Sequence, residues 1–354
     1  MPDPARDGVP RVGAVCDANL LFYCCDDLEP MRAEPRVAAR AICSMIRVLS
    51  NPSDHAGAAS ALHVTGAGGW IGAAVLRAAH LRGRAATGLA CRAPDGIADD
   101  WISPPRATVV HLAAIAHRAA GTVDSQEYRR VNRDLAVAAG RAASRAGARR
   151  FVFVSSAAVM GATSGRPWRE DDLPRPCDAY AQAKLEAEQG LASLHEPGRF
   201  DVVVLRPPLV WGPGVRANFR ALLEVASTPW PLPLAGATAP RSMVHLDNVV
   251  DAIIHLADAP GVGGRTYFVS DDDDRSVAEW IRGIRRVRGR PARLFEFPSA
   301  LAGRLLDLCG RSHVYERLFL PARLDISALR ATGWRPVVDV ETGLRRLVAQ
   351  HAGA

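Results

Sequence analysis

From residue 61 onward, short continuous apolar runs alternate with longer amphipathic stretches. Residues 61–65 (ALHVT) read as an apolar strand that passes through Gly66-Ala-Gly-Gly69 into the helical pattern of residues 70–76. Further strand patterns lie at 85–91, 108–114, 149–156 and 202–206. Helical periodicity covers 131–144 and the alanine-rich run after Asp178, and a last amphipathic helix follows Thr332-Gly-Trp-Arg-Pro. Strands buried on both faces and separated by helices predict an α/β fold with a doubly wound parallel sheet. Between Arg92 and Thr108 only a short Pro-rich segment intervenes, too little for the strand and helix expected there. The sheet should therefore lack one edge strand, with its central strands still paired.

Residues 1–60 differ from the rest. They hold four of the seven cysteines and a turn-rich stretch at 50–57, with only 37–49 (VAARAICSMIRVL) patterned as a helix. They read as a poorly ordered leader, with Met31 and Met45 as later candidate starts.

Composition narrows the class. The 354 residues are 48% hydrophobic, enough for one large core or two modest domains. No apolar run has the length of a membrane span, and the first residues do not precede the apolar core of a signal peptide, which predicts a cytoplasmic protein without a membrane partner. Seven cysteines without a CxxC pair argue against a disulfide framework and a zinc site. The aspartates 271–274 read as a solvated turn rather than a metal site, so no metal is expected. Net charge is +7, but the arginines are scattered along helical patterns, so nucleic acid is not the expected partner.

The glycine turn changes the picture. Gly66 permits a tight turn, Gly69 lets backbone approach a pyrophosphate, and Gly72 lets the helix lie close to the strand, with its N-terminus toward the anion. A dinucleotide is the expected ligand. After the second strand an acidic residue would select NAD; this chain has Cys91-Arg92, which suits the 2′-phosphate of NADP, while Asp95 leaves the choice between NAD and NADP open.

A second signal is the single lysine. Of 44 basic residues, all except Lys184 are arginine, so this lysine marks a position where a guanidinium does not serve. With Asp178 as N-cap, Tyr180 and Lys184 stand at i and i+4 on one helix face, roughly 5–6 Å apart at Cβ. An ammonium there would lower the phenol's pKa and prepare Tyr180 for acid/base work. Ser156 ends a buried strand, where a doubly wound sheet presents its ligand crevice.

Taken together, Thr65-Gly-x-x-Gly-x-x-Gly72, His111-Leu-Ala-Ala, Asn132, Val154-Ser-Ser-Ala-Ala-Val-Met-Gly161 and Tyr180-x-x-x-Lys184 resemble the extended short-chain dehydrogenase/reductase family, the NAD-dependent epimerase/dehydratases of nucleotide sugars. The resemblance spans about 61–348. It implies a Rossmann domain over 61–205 and a smaller, mainly substrate-binding region over 206–354 with segments returning to the first. It implies Ser156, Tyr180 and Lys184 as catalytic residues, with Asn132 supporting a water near Lys184. For the cofactor it implies Gly66, Gly69, Trp70, Ile71, Gly72, Arg92, Leu112, Ala113, Asn132, Tyr180 and Lys184. For the substrate it implies Ser156, Asn218 and Arg241, the last at a diphosphate. His245, in the same segment, reads as a structural histidine.

Within that family, dehydratases place an acidic pair after the hydroxyl residue; Ala157 and Ala158 stand here instead, which disfavours dehydration. The resemblance then implies a UDP-hexose 4-epimerase, with an NADPH-dependent 4-keto-6-deoxy nucleotide-sugar reductase as alternative, acting as a homodimer. A non-catalytic dinucleotide sensor is the alternative of another class, and retention of the only lysine beside Tyr180 argues against it.

Overall fold

A computed structural model describes residues 60–91, 106–115, 123–215, 218–308, 310 and 312–352. The leader at 1–59, and with it the expectation of disorder there, lies outside the described residues, as does Arg92.

Eight described strands form two sheets. The main one is parallel throughout: β1 (Leu62–Thr65), β2 (Ala86–Leu89), β3 (Thr108–His111), β4 (Arg150–Val154), β5 (Asp201–Arg206) and β8 (Thr266–Phe268) lie in the order β2-β1-β3-β4-β5-β8. Chain order reverses on either side of β1, which opens a crevice at the carboxyl ends of the strands. All residues of β1, β3 and β4 are buried, as a sheet covered on both faces requires. Among the described residues β2 and β8 are the edge strands, and the central residues of β2 are exposed. A short pair, β6 (Leu209–Trp211) and β7 (Met243–His245), forms the second sheet.

Helix α1 (Trp70–Leu81) follows β1 through the glycine turn. Helix α2 (Ser125–Tyr128) runs through a wider, π-type turn at Arg129–Asp134 into α3 (Leu135–Arg145), so the helix expected at 131–144 starts earlier and is interrupted at Asn132. In α4 (Ala179–Ala192) the Asp178 side chain accepts from Ala181 N at 2.8 Å, the cap the sequence predicts. The later helices are α5 (Asn218–Ser227), α6 (Leu246–Asp258), α7 (Val277–Val287), α8 (Ser299–Leu308), α9 (Ser312–Phe319), α10 (Ser327–Ala331) and α11 (Val340–Ala352).

Two apolar cores flank the main sheet. One, with Val64, Val152, Leu205 and Ile253, joins β1, β4 and β5 to α6 and so ties late residues to the early sheet. The other packs Phe151, Phe153, Ala139 and Leu191 beneath α3 and α4. A third core, around Trp211, Phe219, Trp280 and Leu344, belongs to the region after β5.

Candidate active site

The glycine turn is built on close approach. At Gly66, with φ +66°, an added Cβ would meet Ala113 N and Leu112 C at 2.7 Å; at Gly72 it would meet Gly66 O at 2.3 Å. Leu112 and Ala113 thus wall the turn, and both their amides donate to Thr65 Oγ1, at 3.2 and 3.3 Å. Gly69 is the N-cap of α1, with no side chain capping the helix and no acid in its first turn, which leaves amides and positive dipole for an anion. These residues fit a dinucleotide pyrophosphate. Ile71 packs against the apolar core, and the Trp70 indole donates to Pro213 O at 3.0 Å, bolting α1 to the loop after β6. The Trp70 indole is thus committed to protein, while its backbone amide is among those at the start of α1.

The chemistry-bearing side chains gather at the carboxyl end of β4. Ser156 follows the strand, and its Oγ accepts from Ala158 N at 3.2 Å, starting a 3-10 turn at Ala157–Met160. The Ser156 hydroxyl also hydrogen-bonds the Tyr180 phenol. Tyr180 is half-buried, and its ring meets Tyr128 edge-on at 6.0 Å. One turn on, Lys184 is buried; its Nζ donates to Val154 O at 3.0 Å and lies 4.8 Å from the Phe153 ring centroid. Burial pushes this ammonium down to about 8, against the opposing effect of Glu188. An ammonium has three donors, so the Val154 bond leaves two for a ligand.

One electrostatic expectation is overturned. Lys184 was to lower the phenol's pKa, yet burial pushes Tyr180 up to about 12, aided by Asp178 and Tyr128 and opposed by the Ser156 hydrogen bond. The reason is direction: Lys184 shares the face of Tyr180 but turns its charge down toward Val154 O. Beneath it, His111 is fully buried, with Nδ1 3.0 Å from Thr65 Oγ1, and burial with the Lys184 charge pushes it down to about 3. His111 is neutral.

Asn132 is buried within the π-type turn. Its Oδ1 accepts from Ile115 N at 2.8 Å and its Nδ2 donates to Ile115 O at 3.0 Å. The amide clasps the loop after β3.

The helix carrying Tyr180 and Lys184 is pinned by a residue the sequence reading missed. Glu188, four after Lys184, receives Arg206 Nε at 3.0 Å and Nη2 at 2.6 Å in a buried bidentate pair, and Arg206 Nη1 lies 3.3 Å from Met160 Sδ. Thus α4, the end of β5 and the turn after Ser156 share one anchor. The spacing Tyr180, Lys184, Glu188 was the available signal: a helical face continuing past the motif.

On the substrate side, the guanidinium of Arg241 donates from Nη1 to Leu320 O at 2.7 Å and to Glu316 O at 3.3 Å, at the end of α9. Burial and the nearby Arg317 push it down to about 10. Arg317, on α9, feels Asp178 as well, and its own pKa is lowered chiefly by burial. Arg241 and Arg317 thus share one half-dry region, where the Asp178 carboxylate offsets part of the Arg317 charge. Arg317 carries no motif, and only the fold reveals it. Asn218 is the first residue of α5, and its side chain lies outside the described residues.

The aspartate run is not a solvated turn throughout. Asp271 is buried, accepting from His245 N at 2.6 Å, Asn248 Nδ2 at 2.7 Å and Trp211 Nε1 at 2.6 Å, and burial raises it to about 6. Asp274 accepts from Ser242 Oγ at 2.5 Å. His245 is buried at the N-cap of α6, where Nδ1 accepts from Asp247 N at 3.2 Å, a structural place.

With the geometry in view, similarity to known proteins is informative. A family description, the NAD dependent epimerase/dehydratase family, matches residues 62–270. A UDP-glucose 4-epimerase of Vibrio cholerae is 34% identical over 248 residues, 67% of this chain and 74% of that protein. A 2-alkyl-3-oxoalkanoate reductase of Stenotrophomonas maltophilia is 28% identical over 332 residues, covering 82% and 98% of the two chains. Among solved structures, MoeE5 in complex with UDP-glucose and NAD has the same fold, with a TM-score of 0.67 at 23% identity over 83% of this chain and 99% of its own. The chain belongs to the NAD-dependent epimerase/dehydratase family.

Proposed function

We propose that the protein is a UDP-hexose 4-epimerase in which Ser156, Tyr180 and Lys184 are the catalytic residues. The observation that carries the reading is the hydrogen-bonded Ser156–Tyr180 hydroxyl pair beside the buried Lys184 ammonium. Its likeness to the Vibrio cholerae relative supports the choice of reaction. Ser156 and Tyr180 hold the C4 oxygen of the sugar; Tyr180, deprotonated in the cofactor-loaded protein, would take the hydroxyl proton on oxidation and return it to the same oxygen on reduction, while inversion comes from return of the hydride to the opposite face of C4. NAD, when bound, supplies the acceptor and donor of the C4 hydride. Lys184 offers its two remaining donors to the ribose, and the amides at the start of α1 receive the pyrophosphate. Arg241 and Arg317 take the diphosphate of the substrate. In this reading, dimers form through the outer faces of α3 and α4.

A second reading, a 4-keto nucleotide-sugar reductase using NADPH, is favoured by one observation. The ligand-free phenol, near 12, is a proton donor, the form that protonates a carbonyl oxygen as it is reduced. The two readings part in cofactor retention. Purified protein is denatured, released NAD(H) and NADP(H) are quantified, and UDP-glucose and UDP-N-acetylglucosamine are assayed for C4 inversion with and without added cofactor. Inversion is expected for the epimerase, with less than one bound cofactor per chain. NADPH consumption on a 4-keto-6-deoxy sugar nucleotide, without any inversion, establishes the reductase instead.

A further inference from the structure

Of the ten exposed large apolar side chains among the described residues, five fall between residues 230 and 308. Trp230 is 71% exposed, Phe295 47%, and Leu301, Leu305 and Leu308 are 46%, 50% and 84%. The three leucines fall at i, i+4 and i+7 of α8, on one side of a helix with no buried residue. Backbone bonds join the Trp230 loop to the segment leading into α8: Leu232 N donates to Arg293 O at 3.0 Å and Phe295 N to Leu232 O at 3.0 Å. A patch of this kind marks an interaction surface.

Its display is built rather than incidental. Arg285 is buried without an acid and donates to the carbonyls of Ala226, Thr228, Trp230 and Ala292, fixing the loop that presents the indole. Arg290 and Arg293 brace the same loop through Ser227 O and Pro229 O. Between residues 282 and 308 there are seven arginines and two acids, Glu296 and Asp307. Arg290, Arg293 and Arg304 are exposed at the margin of the patch.

We propose that this surface docks the protein on an anionic lipid bilayer. An indole, a phenyl ring and leucines enter the boundary between headgroups and acyl chains, while arginines lie along it with their guanidiniums at acidic phosphates. Charge selects this occupant over a second copy: a two-fold contact would set the arginine-rich margins against each other in a protein of net charge +7. No described helix is long and apolar enough to cross a membrane, and a surface-lying mode needs none. The docking also bears on the site, because α9, which packs on α8 with Tyr315 3.3 Å from the Cβ position of Gly303, carries Arg317 and the Glu316 carbonyl bonded to Arg241.

The test is cosedimentation of the full chain with vesicles of phosphatidylcholine alone or enriched in phosphatidylglycerol, at low and molar salt. Capture by the anionic vesicles, weakened by salt, is expected. Partition should fall on the order of tenfold in Leu305→Asn/Leu308→Asn and measurably in Trp230→Ser, with NADH binding kept. Capture by neither vesicle, or equal partition of parent and variants, overturns the proposal. So does loss of self-association in the variants at unchanged vesicle capture, which would make the patch an interface between copies.

Discussion

The cofactor side and the substrate side of the site are held together by different means. On the cofactor side, contacts are between backbone atoms: Gly66, Gly69 and Gly72 pack against one another, and Gly66 against Leu112 and Ala113 at the end of β3. On the substrate side, long side chains reach across the fold, as Arg241 does to Glu316 and Leu320. The first arrangement leaves no room for an added atom at Gly66 or Gly72 and rests on a local motif with one neighbouring strand end. The second tolerates adjustment but depends on the whole fold.

The largest expected effect tests the rigidity of the first. Gly72→Ala puts a Cβ 2.3 Å from Gly66 O, backbone that cannot step aside, whereas Gly68→Ala meets nothing within 4 Å. NADH fluorescence titration should show Gly72→Ala losing affinity on the order of a hundredfold and Gly68→Ala matching the parent. Equal loss in both would mean that the turn is not shaped by packing.

Next is the joint between the two sides. Glu188→Ala leaves Arg206 buried without its carboxylate, a loss of about 3–5 kcal/mol in stability by chemical denaturation. Unfolding at the parent midpoint would show that α4 does not depend on this pair. On the substrate side, Arg241→Lys keeps the charge but not the fork. It should raise KM for a nucleotide sugar by about tenfold and leave NADH affinity alone. A weakened NADH affinity with KM unchanged would place Arg241 on the wrong side of the comparison.

The smallest effect is a pH dependence of cofactor binding. The Lys184 ammonium in the ligand-free protein titrates near 8, so NADH affinity should decline as pH rises through 8, and Lys184→Met should show no such decline. Stability runs the other way: the folded pKa is depressed below the unfolded value. The cost of burying the charge is therefore complete below about pH 8, and stability rises from there toward the unfolded lysine's pKa. A parent with flat affinity over about two pH units centred on that value would exclude Lys184 from the cofactor.

The same contrast explains what could be read from sequence. The parallel sheet, the glycine turn and the Asp178 cap are legible because neighbouring residues dictate them. Ser156 and Tyr180 come together across twenty-four residues because each sits at a defined end of its own element. Where a side chain points was less legible. Trp70 bonds Pro213, Asn132 bonds Ile115, and Lys184 turns to Val154, all set by residues distant in sequence. Asp271 looked like part of a solvated run until the fold supplied donors from His245, Asn248 and Trp211. Arg317 and Glu188 belong to no quoted motif, and only packing gives them partners.

The central claim is that Tyr180, with Ser156 and Lys184 beside it, moves the proton at sugar C4. The most direct test is C4 inversion of UDP-glucose in the presence of NAD by the parent and by Tyr180→Phe, with NADH titration of both. Inversion by the parent, a loss of at least about a hundredfold in the variant and equal cofactor affinity are the predicted result. A Tyr180→Phe protein that inverts C4 within about threefold of the parent would contradict it.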